Sequence, residues 1–563
     1  MACGAAAYSI QPPLAVVHGA SAQQALLLLL PPVLLLLLIA IRLVSASAGG
    51  RRAATAPSSA EKRSGGGDDG DDAIDAPPPL PPSPPGGLPV IGHLHLVGAQ
   101  PHVSLRDLAA GHGRGGLLLL RLGAAAPTVV ASSPAAAEAV LRTHDHALAS
   151  RARSAVADII FHGASDVAFA PYGAYWRQAR MLLTAHMLSA RKVLSFRHGR
   201  REEAGLVVAK IRAAAASRTA AAAVDMSELL SAYSNDVVCR AVLGRTHRDG
   251  GRNRVFCELI EVNVSLLGGF NLEDFFPSLA MADVLKRVVC AKARRVSRRW
   301  DDLFDELIDE HARRSRSPAS REEEESDADF IHVLLSLQEK YGLTRENIKA
   351  ILLDMFQAGI ETSYLVLEYA MAELMNNRDV MSRLQEEVRG CTPGGRTLDV
   401  VKEEDLGSMT YLRATIKETL RLHPPAPFLL PHLSTADCKV NGYLIPAGTR
   451  VIVNAWALGR DPSSWEKPEK FMPERFLQGG SSENIDMKGK DLQFVPFGSG
   501  RRICPGMNFG LSTVEIMLAN LMYHFDWEVP DEVEGTNGEV DMTESFGLTL
   551  RRKQRLLLVP KLL

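Results

Sequence analysis

The stretch Phe494-Val-Pro-Phe-Gly-Ser-Gly-Arg-Arg-Ile-Cys504-Pro-Gly-Met-Asn-Phe509 places one cysteine among glycines and arginines. Apolar residues recur at helical spacing from Met507 to Tyr523, so Cys504 directly precedes a predicted helix. The free N–H groups and the dipole at a helix N-terminus favour an anion. We therefore expect the pKa of the Cys504 thiol to fall, which makes a thiolate available as a metal ligand. A buried structural cysteine in a tight loop is the alternative.

The pattern Phe497-x-x-Gly500-x-Arg502-x-Cys504-x-Gly506 resembles, at every fixed position, the haem-binding signature of the cytochrome P-450 family. The resemblance implies that the Cys504 thiolate is the proximal ligand of haem iron, to which it donates electron density. It also implies that Phe497, Gly500, Arg502 and Gly506 bind the cofactor. Three further matches elsewhere in the chain support the same family.

Length and composition favour one large domain. The chain has 563 residues, of which 46% are hydrophobic, so it can bury a large core. A net charge of -2 argues against nucleic acid as a partner. The 7 cysteines are scattered and form no CxxC pairs, which indicates reduced thiols in a cytosol-facing protein rather than a disulfide or zinc framework.

The N-terminal region predicts a membrane anchor. After a segment of residues 1–24, residues 25–44 form a nearly continuous apolar run that is long enough to cross a bilayer. Arg42 lies at the end of the run and Arg51 and Arg52 follow it, and by the positive-inside rule they keep the rest of the chain in the cytosol. A cleaved signal peptide is the alternative, but no basic segment precedes the run.

A tether and a hinge follow the anchor. Residues 45–76 are rich in Ser, Gly, Ala and Asp and should be disordered, whereas the proline-rich hinge 77–92 should be extended. A ligand for a proline-recognition domain is the other interpretation of the prolines. Microsomal members of the resembled family carry such an anchor and hinge, which implies a single-pass protein of the endoplasmic reticulum membrane. The acidic tether departs from their short basic linker.

Residues 93–563 are predicted to form the haem-thiolate catalytic domain, mostly α with a small β portion, and the resemblance implies the cytochrome P-450 fold. Two hairpins are expected. One joins Leu117–Leu122 to Thr128–Ala131, and the other turns at Asn441-Gly442 before a strand at Arg450–Val453. Ser133-Pro134 carries the cap and the first-turn proline of a helix start.

Trp176 and Arg180 form the second match. They lie one helical turn apart, so an indole N–H and a guanidinium can reach one anion together. A packed tryptophan beside a surface arginine is the simpler interpretation of this pair alone. The family resemblance implies that both bind a haem propionate, together with Arg502 and His432.

The third match is a long helix predicted from about Thr344 to Met375, with Ala358-Gly359-Ile360-Glu361-Thr362-Ser363 in its middle. A threonine hydroxyl there can bond to a preceding carbonyl and open the helix. An ordinary glycine-containing kink is the alternative. The family carries this pattern on the distal face of the haem, which implies that Thr362 holds dioxygen and its water network and that Glu361 helps to deliver protons.

The fourth match is structural. Glu418 and Arg421 are neighbours on one predicted helix, and on a surface helix such a pair contributes little. The family buries this Glu-x-x-Arg pair and closes it with an arginine from a downstream Pro-Glu-Arg-Phe, here Arg475. The resemblance implies that the three residues hold the segment that positions the cysteine loop.

The substrate pocket is predicted from four segments: the loop 159–167, the middle of the long helix, residues 426–430 and residues 545–548. They are almost entirely apolar or small, which suits a hydrophobic small molecule with few polar anchors. The residues predicted to line the pocket are Phe356, Ala358, Gly359, Pro427, Phe428 and Phe546.

The resemblance implies monooxygenation, in which one atom of O2 enters a small apolar substrate and electrons come from NADPH through a separate cytochrome P-450 reductase. The motifs look most like the plant microsomal A-type clan. Similarity around Asp166–Tyr172 and Trp176 suggests grass enzymes that act on indole-derived or oxime substrates. Two alternatives remain: a haem isomerase or dehydratase that needs no reductase, and a non-catalytic membrane haem-binding protein.

Overall fold

The structure is a computed structural model that describes residues 78–562 apart from 217–222, 245–251, 269–271, 277–282, 315–328, 392–398 and 531–538. The predicted segment 1–24, the anchor 25–44 and the tether 45–76 lie outside the described residues. Within the described part of the chain, one helix, Arg345–Asn376, is long and apolar enough to cross a membrane. Most of its apolar stretch is buried inside the domain, so it is a core helix.

Helices dominate the described part of the chain, as predicted. In chain order they are α1 Pro101–His112, α2 Pro134–Glu138, α3 Asp145–Leu148, α4 Ala155–Ile160, α5 Ala174–Leu182, α6 Ala190–Ser195, α7 Arg197–Ala216, α8 Met226–Leu243, α9 Arg252–Gly268, α10 Leu272–Phe275, α11 Asp283–Arg314, α12 Phe330–Tyr341, α13 Arg345–Asn376, α14 Arg378–Gly390, α15 Thr410–Leu422, α16 Ala455–Leu458 and α17 Met507–His524.

The strands are short and form small sheets. They are β1 Leu117–Leu120, β2 Thr128–Ala131, β3 Ser150–Arg151, β4 Val224–Asp225, β5 His432–Leu433, β6 Cys438–Val440, β7 Tyr443–Ile445, β8 Arg450–Val453, β9 Phe525–Glu528, β10 Glu544–Ser545, β11 Arg551–Arg552 and β12 Leu557–Leu562. One sheet has 5 strands in the order β1-β2-β8-β5-β3, and another has 3 in the order β4-β12-β9. The pairs β6-β7 and β10-β11 complete the set.

Both predicted hairpins are confirmed. β1 pairs antiparallel with β2, and β6 pairs antiparallel with β7 across Asn441 and Gly442. The turn needs positive φ at both of its central residues, and these adopt +50° and +86°. The proline-rich hinge lies along strands β1 and β7. Leu119 N donates to Pro82 O at 2.8 Å, and Leu444 N donates to Pro79 O at 2.8 Å.

The long helix α13 organises the core. Its N-cap is Thr344, whose hydroxyl accepts from Asn347 N while the Asn347 side chain accepts from Thr344 N. The helix has 32 residues and most of them are buried, so its start and its length agree with the sequence prediction. It packs against α8, α15 and α17, and through α17 it is linked to the cysteine loop that precedes that helix.

The C-terminal segment is tied to α13 by charged pairs. Arg551 Nε donates to Glu361 Oε1 at 2.6 Å, and Arg552 Nη1 lies 3.3 Å from Glu368 Oε1. Both carboxylates are buried. The segment that contains Leu548 and its neighbours is therefore held against the middle of the long helix.

Candidate active site

The cysteine loop is shaped by its backbone. Gly500 to Arg502 form a single 3-10 turn, after which Cys504 N donates to Phe497 O at 2.9 Å. Gly500 has φ of +65°, and a Cβ built there would lie 1.8 Å from Leu141 O. Only glycine fits this position without moving the loop. The loop therefore delivers Cys504 three residues before α17 begins.

The prediction that the pKa of the Cys504 thiol falls is wrong. Burial raises the pKa of Cys504, and the N–H groups of Gly506 and Met507 together with the Arg180 guanidinium oppose the rise without overcoming it. The helix N-terminus and the arginine do favour the thiolate, as the sequence predicted. Desolvation, which depends on the tertiary packing, outweighs them.

Gly500→Ala is expected to lower the free energy of unfolding by about 1–3 kcal/mol, because the new side chain overlaps Leu141 O and the left-handed backbone disfavours it. Gly506→Ala is the matched control: its φ is −88°, and a Cβ there meets only Cys504 Sγ at 3.9 Å. Urea unfolding of the two variants checks this, and equal losses of stability would contradict it.

The cysteine loop and α13 face one internal cavity of about 300 Å³. Cys504, Phe497 and Arg502 line it from the loop, and Ala358 and Thr362 line it from α13. Most of the remaining wall is apolar, so the cavity suits a hydrophobic ligand. The structure therefore brings together the cysteine and the threonine that the sequence motifs singled out.

A basic cluster lies on the wall beside the cysteine. It contains the predicted residues Trp176, Arg180, Arg502 and His432, and also Arg151, which the sequence analysis missed. The indole ring of Trp176 packs under the Arg502 guanidinium, 4.3 Å from ring centroid to guanidinium carbon. Its Nε1 donates to Val167 O at 3.0 Å.

Among the described residues, the guanidinium groups of this cluster donate to backbone carbonyls and to no side chain. Arg502 donates to Ala149 O at 2.7 Å and to Ala170 O at 2.6 Å, Arg151 Nε donates to Ala168 O at 3.1 Å, and Arg180 donates to Ile503 O. Burial lowers the pKa of Arg502 to about 10, with Arg180 adding to the effect and Asp166 opposing it. Arg151 is buried, Arg180 and Arg502 are partly buried, and none of the three forms an ion pair among the described residues. Such cations favour an anionic ligand, so the cluster fits the propionates of a haem.

His432 is held in a defined orientation. It is buried in β5, and its Nδ1 lies 2.8 Å from Leu148 O, to which it donates. Burial lowers the pKa of His432, and the nearby Arg151 adds to this effect. A carboxylate placed beside it would offset the desolvation and favour the protonated ring.

The predicted bond of the threonine hydroxyl is present, since Thr362 Oγ1 donates to the carbonyl of Ala358 at 2.7 Å, but the helix runs unbroken through this point and the predicted opening is not seen. Glu361 is 1% exposed and accepts from Thr549 Oγ1 at 2.6 Å and from Arg551. Burial raises the pKa of Glu361, whereas Arg551 and Thr549 oppose the rise. The carboxyl is thus a buried, hydrogen-bonded group beside the cavity.

Two predicted pocket residues on α13 face away from the cavity. The ring of Phe356 stacks on Phe256 with centroids 4.4 Å apart, and Gly359 faces α8, where a Cβ would lie 3.0 Å from Val238. Adjacent helical residues are about 100° apart around the axis, so Phe356 and Ala358 cannot share a face. Ala358 lines the cavity as predicted, and Met355 and Gln357, one on each flank of Ala358 around the helix, also line it.

The other three predicted pocket residues are also displaced from the cavity wall by one to two positions. Phe428 packs edge-on against Phe546 with centroids 5.5 Å apart, and Phe546 stacks on His102. Pro427 is buried and accepts from Trp456 N. Each of the predicted segments does contribute residues to the cavity wall. Their residues that line the cavity are Phe161, Val167, Ala426, Leu429, Leu430 and Leu548.

Glu418, Arg421 and Arg475 form one buried cluster. Glu418 accepts from Arg421 Nε at 2.8 Å and Nη2 at 2.7 Å, and from Arg475 Nε at 3.1 Å. All three side chains are 0% exposed. The remaining donors of Arg421 reach the carbonyls of Gly459 and Pro468, so the cluster fastens α15 to the irregular segment that precedes the cysteine loop.

A second buried cluster, missed from the sequence, consists of Asp166 and Asp354. Asp354 Oδ2 accepts from Val167 N at 2.6 Å, and Asp166 Oδ2 accepts from Phe169 N at 2.7 Å. Burial raises the pKa of Asp166 to about 6, and burial together with Asp166 raises the pKa of Asp354 well above its usual value. The pair links α13 to the loop that carries Val167. Sequence spacing gives no signal for it, because the two residues are 188 positions apart.

The acid pair predicts a pH-dependent stability. A carboxyl with a raised pKa in the folded protein binds its proton more tightly when folded, so its stabilising contribution is lost as the pH rises. Relative to Asp354→Asn, the wild type should lose stability as the pH rises from about 4 to about 6. Urea unfolding across this range tests the slope, and parallel pH profiles of the two proteins would contradict it.

Comparison with known proteins identifies the family and similar enzymes. Residues 81–558 match the family described as Cytochrome P450. Indolin-2-one monooxygenase from Zea mays is 67% identical over 482 residues, which cover 85% of this chain and 88% of that protein. For 3-hydroxyindolin-2-one monooxygenase from Zea mays the identity is 60% over 479 residues, with the same coverage of 85% and 88%.

Solved structures support the fold. A zebrafish cytochrome P450 determined with abiraterone aligns with a TM-score of 0.67 at 23% identity, over 83% of this chain and 100% of that one. The enzyme is an oxidoreductase, a monooxygenase of small molecules. It belongs to the cytochrome P450 family, with close relatives among plant enzymes, as the motifs predicted.

Proposed function

We propose that this monooxygenase inserts one oxygen atom from O2 into a small, flat, indole-derived substrate. The single observation that carries the proposal is the largely apolar cavity that both Cys504 and Thr362 line, because such a wall suits a small apolar substrate held beside the cofactor. The 67% identity to an indolin-2-one monooxygenase supports the substrate class. The oxime substrates that the sequence also suggested have no comparable support.

The cofactor of this proposal is haem. Cys504 would bind the iron, and Trp176, Arg180, Arg502 and His432 would bind the propionates, with Arg151 as a further cation on the same wall. The excess of buried positive charge beside Cys504 is the feature that fits this group. When bound, haem supplies the oxygen-activating chemistry.

The residues of α13 orient the reactants and supply protons. Thr362 offers a hydroxyl to the cavity, anchored on the Ala358 carbonyl, and so positions O2 and a water beside it. Glu361 holds a proton more readily than an exposed glutamate, because burial raises its pKa, and it can pass that proton toward the cavity. The apolar wall excludes bulk water, and the small side chain of Ala358 leaves room for the substrate.

The proposed partner is an NADPH-cytochrome P450 reductase, which would deliver electrons from the cytosolic side. The apolar run 25–44 would anchor the protein in the endoplasmic reticulum membrane, with the catalytic domain in the cytosol. An apolar substrate that partitions into the membrane would then be concentrated near the enzyme.

The test is product analysis. Microsomes that contain this protein and a plant reductase are supplied with indole, indolin-2-one, oxime, terpenoid and flavonoid substrates, with and without NADPH, and the products are identified by mass spectrometry. We expect an indole-derived product heavier by one oxygen atom that forms only with NADPH. Turnover without NADPH would instead indicate a haem isomerase or dehydratase.

Thr362→Val is expected to lower kcat by roughly 100-fold, because valine keeps the shape of threonine and lacks the hydroxyl. Thr362→Ser is the matched control, since it keeps the bond to the Ala358 carbonyl and should retain most of the activity. Product formation by both variants, at equal haem content, measures the effect. Similar losses in the two would show that packing, rather than the hydroxyl, matters at this position.

A further inference from the structure

We propose, on the basis of the function proposed above, that Gln357 recognises the substrate by donating a hydrogen bond from its Nε2 to a carbonyl oxygen on the ring system. The proposed substrate class is therefore a bicyclic lactam, which carries a ring carbonyl, rather than the corresponding heterocycle that lacks the carbonyl. Gln357 lies on α13, next to Ala358 and one turn before Glu361, and its side chain lines the cavity.

The amide of Gln357 is held in place by a second amide. Its Oε1 accepts from Asn263 Nδ2 of α9 at 3.3 Å. Both side chains are buried, at 8% exposure for Gln357 and 0% for Asn263. Because an amide is planar, a bond that fixes its oxygen also fixes the direction in which its nitrogen donates.

The nitrogen of this amide has no acceptor within the described part of the chain, since its side chain makes only the bond to Asn263. A donor enclosed by the protein without an acceptor is unfavourable, so the Gln357 nitrogen favours a ligand that offers one. A ligand that brings an acceptor oxygen to this point removes that cost. A ligand that brings only carbon or an N–H group does not.

Most other polar groups that line the cavity on α13 are bonded inside the protein, except Ser363, whose hydroxyl has no partner among the described residues. Thr362 donates to the Ala358 carbonyl, Glu361 accepts from Thr549 and Arg551, and Asp354 accepts from Val167 N. The basic cluster lies on the opposite side, next to the cysteine, where it fits carboxylates. The Ser363 hydroxyl can donate or accept, whereas the Gln357 nitrogen can only donate, so of the two it is Gln357 that distinguishes an acceptor oxygen from an N–H group.

An N–H donor in the site favours a substrate that carries an acceptor oxygen on its ring. Indole offers an N–H group and a π face, but no strong acceptor, whereas indolin-2-one offers a carbonyl. A site built to hydrogen-bond a substrate group rejects an analogue that lacks the group more strongly than it rejects one that differs by a methylene. Gln357 should therefore favour indolin-2-one over indole.

The experiment compares wild-type holoenzyme with Gln357→Met, which keeps the length and approximate volume of the side chain and removes the donor. Binding of indolin-2-one and of indole is measured from the substrate-induced change in the haem absorption spectrum. We expect the variant to bind indolin-2-one about 10- to 100-fold more weakly and indole with unchanged or higher affinity. The variant should therefore lose the preference for indolin-2-one over indole.

Two further variants keep the test decisive. Met355→Leu alters another lining residue that offers no hydrogen bond to the substrate, and it should shift the affinities for both compounds by the same factor. Asn263→Ala releases the Gln357 amide and should reduce the preference for indolin-2-one in the same direction as Gln357→Met. The haem content of each variant establishes that it is folded.

The proposal for Gln357 is overturned if Gln357→Met changes both affinities equally or changes neither. Product formation is measured separately. Absence of an oxygenated product from either compound with wild-type enzyme and NADPH would refute the proposed function, whereas the ratio of the two binding constants still decides the role of Gln357.

Discussion

Glu418→Ala is expected to leave a chain that does not retain haem and that loses about 3–5 kcal/mol of folding free energy. The reason is that Arg421 and Arg475 are both buried and both depend on Glu418 as their carboxylate partner. Removal of the carboxylate leaves two uncompensated buried charges. It also removes the acceptor of Met472 N, 2.8 Å from Glu418 Oε1, so the segment before the cysteine loop loses its attachment to α15.

Thermal and urea unfolding, with haem content measured by absorption, check this prediction. Glu474→Gln is the matched control, since Glu474 lies in the same segment, beside Arg475. Its side chain is 32% exposed, and it accepts from Tyr411 Oη at 2.6 Å and pairs with Arg383, whose side chain is 59% exposed. An exposed ion pair contributes about 0–1 kcal/mol, so this variant should stay folded. Normal haem content in Glu418→Ala would refute the assigned role.

Cys504→Ser is expected to abolish product formation to the level of a preparation without the enzyme, while the chain remains folded. Serine fits the volume of cysteine, and the loop keeps its backbone bond from residue 504 N to Phe497 O. Its hydroxyl is a far poorer anionic ligand than a thiolate, so the electron donation that the proposed cofactor requires is lost.

The absorption spectrum of the reduced carbon monoxide complex is the measurement, because it distinguishes a thiolate ligand from a neutral one. Cys438→Ser is the control: Cys438 is a buried thiol in β6, 3.9 Å from Ile445 O, and it does not line the cavity. This variant should keep the thiolate spectrum. Retention of that spectrum in Cys504→Ser would refute the ligand assignment.

The features that could be predicted from the sequence depend on residues that are close together along the chain. The cysteine loop, the start and length of α13, and the Thr362 hydroxyl bond all depend on residues within one or two turns of each other. Both hairpins were predictable from their turn residues. Arg475 is a different case, since its position opposite Glu418 came from the family resemblance and agrees with the structure.

The features that could not be predicted depend on which elements meet in three dimensions. Arg151 carries no local motif, and the Asp166–Asp354 pair joins a loop to a distant helix. The rise in the pKa of Cys504 comes from burial, which the spacing of the loop does not reveal. The pocket was assigned to the correct segments, but the face of each segment was set by its neighbours, as Phe356 and Phe256 illustrate.

The division of α13 into faces has a consequence for how such enzymes acquire new substrates. Met355, Gln357 and Ala358 face the cavity, whereas Phe356 and Gly359 face the core. Changes at the first set alter the molecule that is accepted while the packing that maintains the fold is left intact. Selection can therefore change the accepted molecule without replacing Phe356 or Gly359, and a diversification library for this protein should be restricted to the residues of the helix that line the cavity.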